Sequence, residues 1–359
     1  MEGITKLGIV GRSTDQLCDG QTIKTRVLVE ELKRKYPCAE IFLVDTYQYQ
    51  KHPWSILKNL FICMKESQAV FVLLSRNGMR VIFPIINFLN RFYRKPILHD
   101  CIGGSLDVLA EKYPGIRLQL NRFDVNWVES PNLKMRLEKM GIRNVVYLPN
   151  FKRLNVLPEG QLRKNDQRPF RFCTFSRVNE AKGVGRAAEA IIQINRKAGR
   201  IEASLDVYGP IEEDYGHVLK RYAELSDGAV AYRGVASPDQ SVEILKDYYA
   251  LLFPTTFDGE GFPGTVIDAL SAGLPIIATQ WHCNGEIIAH GKTGFLYPVE
   301  QPEQLGELIE RAMLDAQSIF EMRKNCVKEA MKYDADTVMG VICDKLDKVV
   351  SSQMKGNMN

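Results

Sequence analysis

The chain has 359 residues, of which 45% are hydrophobic and 25% charged. That is ordinary globular composition, and with 27 Gly and 16 Pro it excludes a disordered, collagen-like or low-complexity chain. The net charge of +4 conceals an asymmetry: residues 1–150 carry 22 Lys and Arg against 14 Asp and Glu, whereas residues 151–359 carry 25 against 29. A basic first part suits an anionic partner, although a solvated surface with chance asymmetry explains it equally well.

At roughly 100–200 residues per domain, this length predicts two or three domains. In chain order, short apolar runs at 6–10, 40–45, 69–75, 96–99, 125–129 and 144–148 read as strands. Helical patterns lie at 22–35, where Leu28, Val29 and Leu32 share one side, and at 132–140. The pattern restarts with strands at 170–176, 205–208, 230–233, 250–253 and 275–278. A helix at 183–196 repeats apolar residues at Val184, Ala187, Ala188, Ile191 and Ile192, and helices at 302–314 and 317–333 follow. Repeated strand–helix alternation predicts two doubly wound α/β domains, each with a parallel sheet and right-handed crossovers. The segment 151–169, with Pro158, Gly160 and Pro169 and no clear period, reads as the linker. The expected domains are therefore 1–150 and 170–334, with a last helix at about 335–352 packing back on the first. Two such domains leave a cleft, and ligands sit outside the carboxyl ends of the strands.

The eight cysteines form no C-x-x-C pair, which points to reduced thiols in a cytoplasm. The N-terminus lacks the pattern of a signal peptide, and no apolar run approaches 18 residues. Residues 51–95 interleave Trp54, Phe61, Phe83, Phe88, Phe92 and Tyr93 with basic residues, among them Arg91, Arg94 and Lys95. Such a stretch either docks on anionic lipid or is a core face with a solvated back. No recognition motif suggests nucleic acid.

The loop after the strand at 250–253 is glycine-rich and leads into a helix. Pro263 suits a first helical turn, and the free N–H groups of Gly264 and Thr265 would face an anion or a hydroxyl. Residues 259–264 spell G-x-G-x-x-G, but no acidic residue follows the next strand to hold a ribose, so a dinucleotide site is disfavoured. Glu260 and Asp268 flank the helix start and could hold hydroxyls of a sugar and a ribose; equally, Glu260 could complement the helix dipole and Asp268 be solvated.

The run Glu260-Gly-Phe262-Pro263 through Asp268-Ala-Leu-Ser-Ala-Gly to Thr279, with Gly285-Glu286 and Gly291-Lys-Thr-Gly294 after it, resembles the donor block of family 4 retaining glycosyltransferases of the GT-B fold. Asp268 stands where that family has a second Glu. Arg177 to Lys182-Gly183 resembles the family's Arg-x4-Lys-Gly segment, and Tyr208-Gly209 the strand end near the nucleotide base. The resemblance implies a retaining transfer from a nucleotide-diphosphate sugar to a glycan or lipid-linked acceptor, without a metal or other cofactor. Arg177 and Lys182 would stabilise charge on the departing diphosphate, and Glu260 would complete the catalytic set. It implies donor contacts from Phe262, Pro263, Gly264, Thr265 and Asp268. Gly20, ahead of the first helix, matches a glycine loop near the donor phosphates; Asp19 as a plain helix cap is the competing reading. His99 could match the family's histidine near the reacting carbon, unless Gly103 sets the alignment and Ile102 takes that place. A polyprenyl-linked glycan at the inner membrane surface would account for the basic first half. A nucleotide-sugar 2-epimerase of the same architecture, or a non-catalytic nucleotide-sugar binding protein, are the alternatives; loss of Arg177, Lys182 or Glu260 would mark the latter, and all three are present.

Overall fold

Apolar runs of four to six residues that bury both faces need neighbours on both faces, and helices supply them. A computed structural model describes residues 3–14, 20–212, 214–260 and 262–357. The chain forms two units, one running to Arg153 and including everything from Asp334 onward, the other Leu154–Tyr333.

The first unit is β1 (Lys6–Gly11), α1 (Gly20–Lys35), β2 (Glu40–Asp45), α2 (Pro53–Glu66), β3 (Ala69–Leu73), α3 (Arg76–Tyr93), β4 (Ile97–Asp100), α4 (Leu106–Lys112), α5 (Pro114–Leu120), β5 (Val125–Val128), α6 (Pro131–Lys139) and β6 (Val145–Tyr147). Its sheet is parallel in the order β2-β1-β3-β4-β5-β6, with Ile9 beside Leu43 on one side and Phe71 on the other. All five residues of β3 are buried. The 51–95 stretch is thus two helices around a strand. Phe83 lies in the core, while Trp54 is 81% and Phe92 70% exposed.

The second unit is β7 (Phe170–Phe175), α7 (Val184–Ala198), β8 (Ala203–Tyr208), α8 (Gly216–Leu225), β9 (Val230–Gly234), α9 (Ser241–Leu245), β10 (Ala250–Phe253), α10 (Gly264–Ser271), β11 (Ile276–Thr279), α11 (Asn284–Ile287), β12 (Gly294–Tyr297), α12 (Gln304–Leu314) and α13 (Ala316–Ala330). The parallel order is β12-β11-β10-β7-β8-β9. The stripe predicted on α7 is its buried face. The segment after Arg153 is not a loose connection. Leu157 and Leu162 are buried in this unit's core, and the Leu157 N–H donates to the Ser271 carbonyl at 2.8 Å. These anchors follow no helical or strand period, so the sequence concealed them.

The last helix, α14 (Ala335–Asn357), belongs to the first unit. Val338, Met339, Ile342 and Leu346 pack with Leu28, Phe71 and Trp127. Arg153 and Arg34 pair with Asp336 and Glu31 beside this contact.

Both units reverse strand order at their first strand. β1 lies between β2 and β3, and β7 between β8 and β10. The carboxyl ends of these neighbouring strands are the switch points, where open α/β sheets bind ligands.

Candidate active site

In the second unit the switch point is formed by the loops after β7 and β10. They are joined residue by residue. The Thr256 N–H donates to the Ala181 carbonyl at 2.8 Å, and the Arg186 guanidinium donates to the Pro254 carbonyl at 2.8 Å and the Thr256 hydroxyl at 3.1 Å. Gly183 caps α7 with φ +75°, and a Cβ there would stand 2.2 Å from the Pro254 carbonyl oxygen. Only glycine allows this approach. A third loop braces them: the Thr279 hydroxyl donates to the Thr255 carbonyl at 2.6 Å, and the Trp281 indole N–H to the Phe257 carbonyl at 3.0 Å.

Lys182 and Glu260 meet across the two loops. The Lys182 ammonium donates to Glu260 Oε2, with both side chains buried. The same oxygen accepts from the Thr255 hydroxyl at 3.0 Å. The ammonium stands 4.8 Å from the centre of the Phe257 ring, and the Arg177 guanidinium lies 5.0 Å from it. Arg177 is half exposed and pairs with Glu212 at 2.8 Å. Two cations thus flank one aromatic ring at the strand ends, each held by a carboxylate. Such pairs are preorganised to exchange a carboxylate for an incoming anion. Thr255 and Phe257 had no signal in the sequence; both are defined only by the meeting of two loops 70 residues apart.

α10 begins at Gly264 after Pro263, with no acidic residue in its first turn. A Cβ on Gly264 would meet nothing within 4 Å, and the Thr265 hydroxyl has no hydrogen-bond partner among the described residues. Open N–H groups at a helix start suit a hydroxyl or phosphate. Asp268 is buried one turn further on. The Phe262 side chain is not available to a ligand: it is buried against Tyr333, ring centres 5.2 Å apart, so any donor contact there comes from its main chain. Tyr208 packs on Phe175, and its hydroxyl is 2.9 Å from that of Tyr248. Gly209 has φ +131°, and its Cβ would fall 1.8 Å from the Ser176 carbonyl oxygen, so glycine there is first a packing requirement.

In the first unit, Gly20 opens α1, and Asp19 lies outside the described residues. His99 is corrected to a core residue. It has no exposed surface. It sits on β4 with the Phe83 ring edge-on at 5.1 Å, and its Nδ1 is 2.8 Å from Asn126 Oδ1. Asn126 donates its amide to the Leu120 carbonyl at 2.9 Å, which turns Oδ1 toward the ring and leaves the proton on Nδ1. Burial takes the imidazole down to about 4. A neutral histidine sealed in the core does not touch a sugar. Beside it lies a buried triad: the Lys24 ammonium donates to Asp100 at 2.7 Å, to Glu129 at 2.8 Å and to the Cys101 carbonyl at 3.1 Å. Desolvation raises Asp100 to about 6 even with this cation beside it.

A cavity of about 330 Å³ between α7 and α8, lined by Glu189, Arg196 and His217, lies apart from this chemistry. No cluster of three metal-ligating side chains, and no helix long and apolar enough to cross a membrane, occurs among the described residues.

Residues 160–333 match the family described as glycosyl transferases group 1. That segment is nearly all of the second unit. The chain is 27% identical over 169 residues to the amylovoran biosynthesis glycosyltransferase AmsK of Erwinia amylovora, covering 45% of this chain and 41% of that one. It is 25% identical over 232 residues to the putative colanic acid biosynthesis glycosyltransferase WcaL of Salmonella typhimurium, covering 61% and 55%. The chain spans about half the length of the curated relatives it matches. Among solved structures, HepE of Anabaena in complex with UDP superposes with a TM-score of 0.76 at 16% identity, covering 96% of this chain and 100% of that one. The fold is therefore GT-B, two Rossmann-like domains.

Proposed function

We propose that this protein is a retaining glycosyltransferase that moves a sugar from a nucleotide-diphosphate sugar to a glycan or polyprenyl-linked acceptor in bacterial surface-polysaccharide assembly. The observation that carries the reading is the Lys182–Glu260 pair, locked between two loops at the switch point with Arg177 beside it. As the glycosidic bond breaks, negative charge grows on the diphosphate. Arg177 supplies a planar fork and Lys182 a point charge where that charge develops, and each favours the transition state over the ground state. Glu260 holds the ammonium in place and, with Thr255, offers oxygens to a sugar hydroxyl. The start of α10 offers its N–H groups to the donor, with Asp268 one turn on for the ribose. Two fixed cations fill the role a divalent metal has in other transferases. The polysaccharide-biosynthesis relatives and the UDP held by HepE support this substrate class.

Attachment at the inner membrane face is part of the same proposal. Trp54 and Phe61 on α2, and Phe88 and Phe92 on α3, are exposed beside Lys51, Lys58 and Arg91. An apolar, basic surface of this kind suits anionic headgroups.

The test is a panel of nucleotide sugars, with release of nucleoside diphosphate as the readout. At least one donor is expected to turn over, at an unchanged rate in EDTA. No release from any donor, or activity lost to EDTA and restored by Mg²⁺, overturns the reading.

A further inference from the structure

Arg186 stands in the first turn of α7, just past the Lys182-Gly183 pair. We propose that it is a positioning residue of this site and the source of its net positive charge: its guanidinium fixes the loop that carries Thr255 and Glu260, and its charge draws an anionic diphosphate to the strand ends. The diphosphate's part as a leaving group rests on the glycosyl-transfer reading above; the attraction for a diphosphate does not.

The positioning follows from where the two bonds fall. Both come from one terminal nitrogen, which donates to the Pro254 carbonyl at 2.8 Å and the Thr256 hydroxyl at 3.1 Å. These two residues bracket Thr255, whose hydroxyl donates to Glu260 Oε2 at 3.0 Å. Phe257, the ring between the two cations, comes next in the chain. Arg186 thus ties the start of α7, and Lys182 ahead of it, to the loop that places Glu260 and Phe257.

The charge follows from the pairing. Lys182 is matched by Glu260 and Arg177 by Glu212, so these four groups cancel. Arg186 pairs with no carboxylate among the described residues, and Glu180 nearby in the chain accepts from the Tyr215 hydroxyl at 3.2 Å instead. Its field is felt beneath the site: burial pushes the Tyr297 hydroxyl far above its usual range, and the charge that opposes this is Arg186. The first turn of α7 holds no acidic residue, so the guanidinium adds to the positive end of a 15-residue helix. A cation there works against the helix dipole, and a residue set against a local rule marks a functional demand. An incoming diphosphate meets that demand.

The test measures the affinity of the full chain for UDP, GDP, ADP and inorganic pyrophosphate by calorimetry at low and high salt. At least one should bind, more weakly as salt rises toward roughly 0.5 M. Arg186→Gln and Arg186→Met remove the charge; a folded one of the two, identified by urea unfolding, should bind about tenfold more weakly with a smaller salt dependence. Arg186→Lys keeps the charge on a chain one atom shorter, and should bind within about threefold of wild type. With a donor that turns over, Arg186→Lys should lower kcat about tenfold at a nearly unchanged KM, because the loop is displaced while the charge remains. Thr256→Val should lower kcat severalfold and leave diphosphate affinity alone. Wild-type affinity indifferent to salt, a folded neutral variant that binds as wild type does, or Arg186→Lys binding as weakly as the neutral variant, would overturn the charge. Unchanged kcat in both Arg186→Lys and Thr256→Val would overturn the positioning. A wild type that binds none of the four overturns this proposal together with the glycosyl-transfer reading; diphosphate binding that responds as described, with no donor turned over, overturns that reading alone.

Discussion

His99 and Asp100 are neighbours on β4, both fully buried, and burial moves their proton affinities in opposite directions, to about 4 and about 6. For His99 the folded value lies below the unfolded one. Its contribution is present above pH 6.5 and is lost as pH falls toward 4, by about 3 kcal/mol. For Asp100 the folded value lies above the unfolded one, so acidification over the same window favours the native state. The two offset each other in the wild type. His99→Asn removes one side only. Urea unfolding at pH 7 and pH 4 should therefore show the stability difference between wild type and variant shifting by about 3 kcal/mol in the variant's favour at pH 4; an unchanged difference would contradict the burial argument. His99 also marks how far single residues were legible. Position 99 was visible as a strand end, but which face its side chain takes is fixed by Phe83 and Asn126, from elements distant in sequence. Arg177, Lys182 and Glu260 were readable because their motifs are local, and they do lie together. Lys24 was not, since its partners stand 76 and 105 residues away.

The helices α2 and α3 show the limit at the scale of elements. On α3 the buried Met79, Ile82, Phe83 and Ile86 keep helical spacing, yet both helices also carry apolar residues on an outward face. Phe88 and Phe92 stack edge to face on the outside, 5.6 Å apart, as do Phe61 and Tyr93 at 5.8 Å. That outer face predicts binding to vesicles containing anionic lipid, weakening as salt rises toward roughly 0.5 M, where exposed charges are screened. Replacing Arg91, Arg94 and Lys95 with Ser should reduce binding further, because each basic residue near an anionic surface is worth about 1 kcal/mol. Phe88→Ser with Phe92→Ser tests the apolar share without touching charge. Sedimentation with vesicles that shows no binding at low salt, or equal binding by the variants, would point to a soluble acceptor instead. The strands were easier to read: β10 was found at its observed bounds, because a short run buried on both faces is continuous in sequence.

At the scale of the whole molecule, two parallel sheets were legible from alternation alone, with six strands in the first and five of the six in the second, β12 escaping notice, while strand order was not. Order is decided by which strands pack side by side, and it creates the two switch points on which the functional reading depends. The central claim is that the loops after β7 and β10 act on the diphosphate of a nucleotide sugar. The most direct measurement is turnover of the preferred donor by Lys182→Ala beside wild type, with circular dichroism confirming that the variant is folded. The account predicts a fall in kcat of about 10²–10³, the loss expected when one preorganised charge donor is removed from a developing anion. A folded Lys182→Ala protein that turns over at the wild-type rate would contradict it.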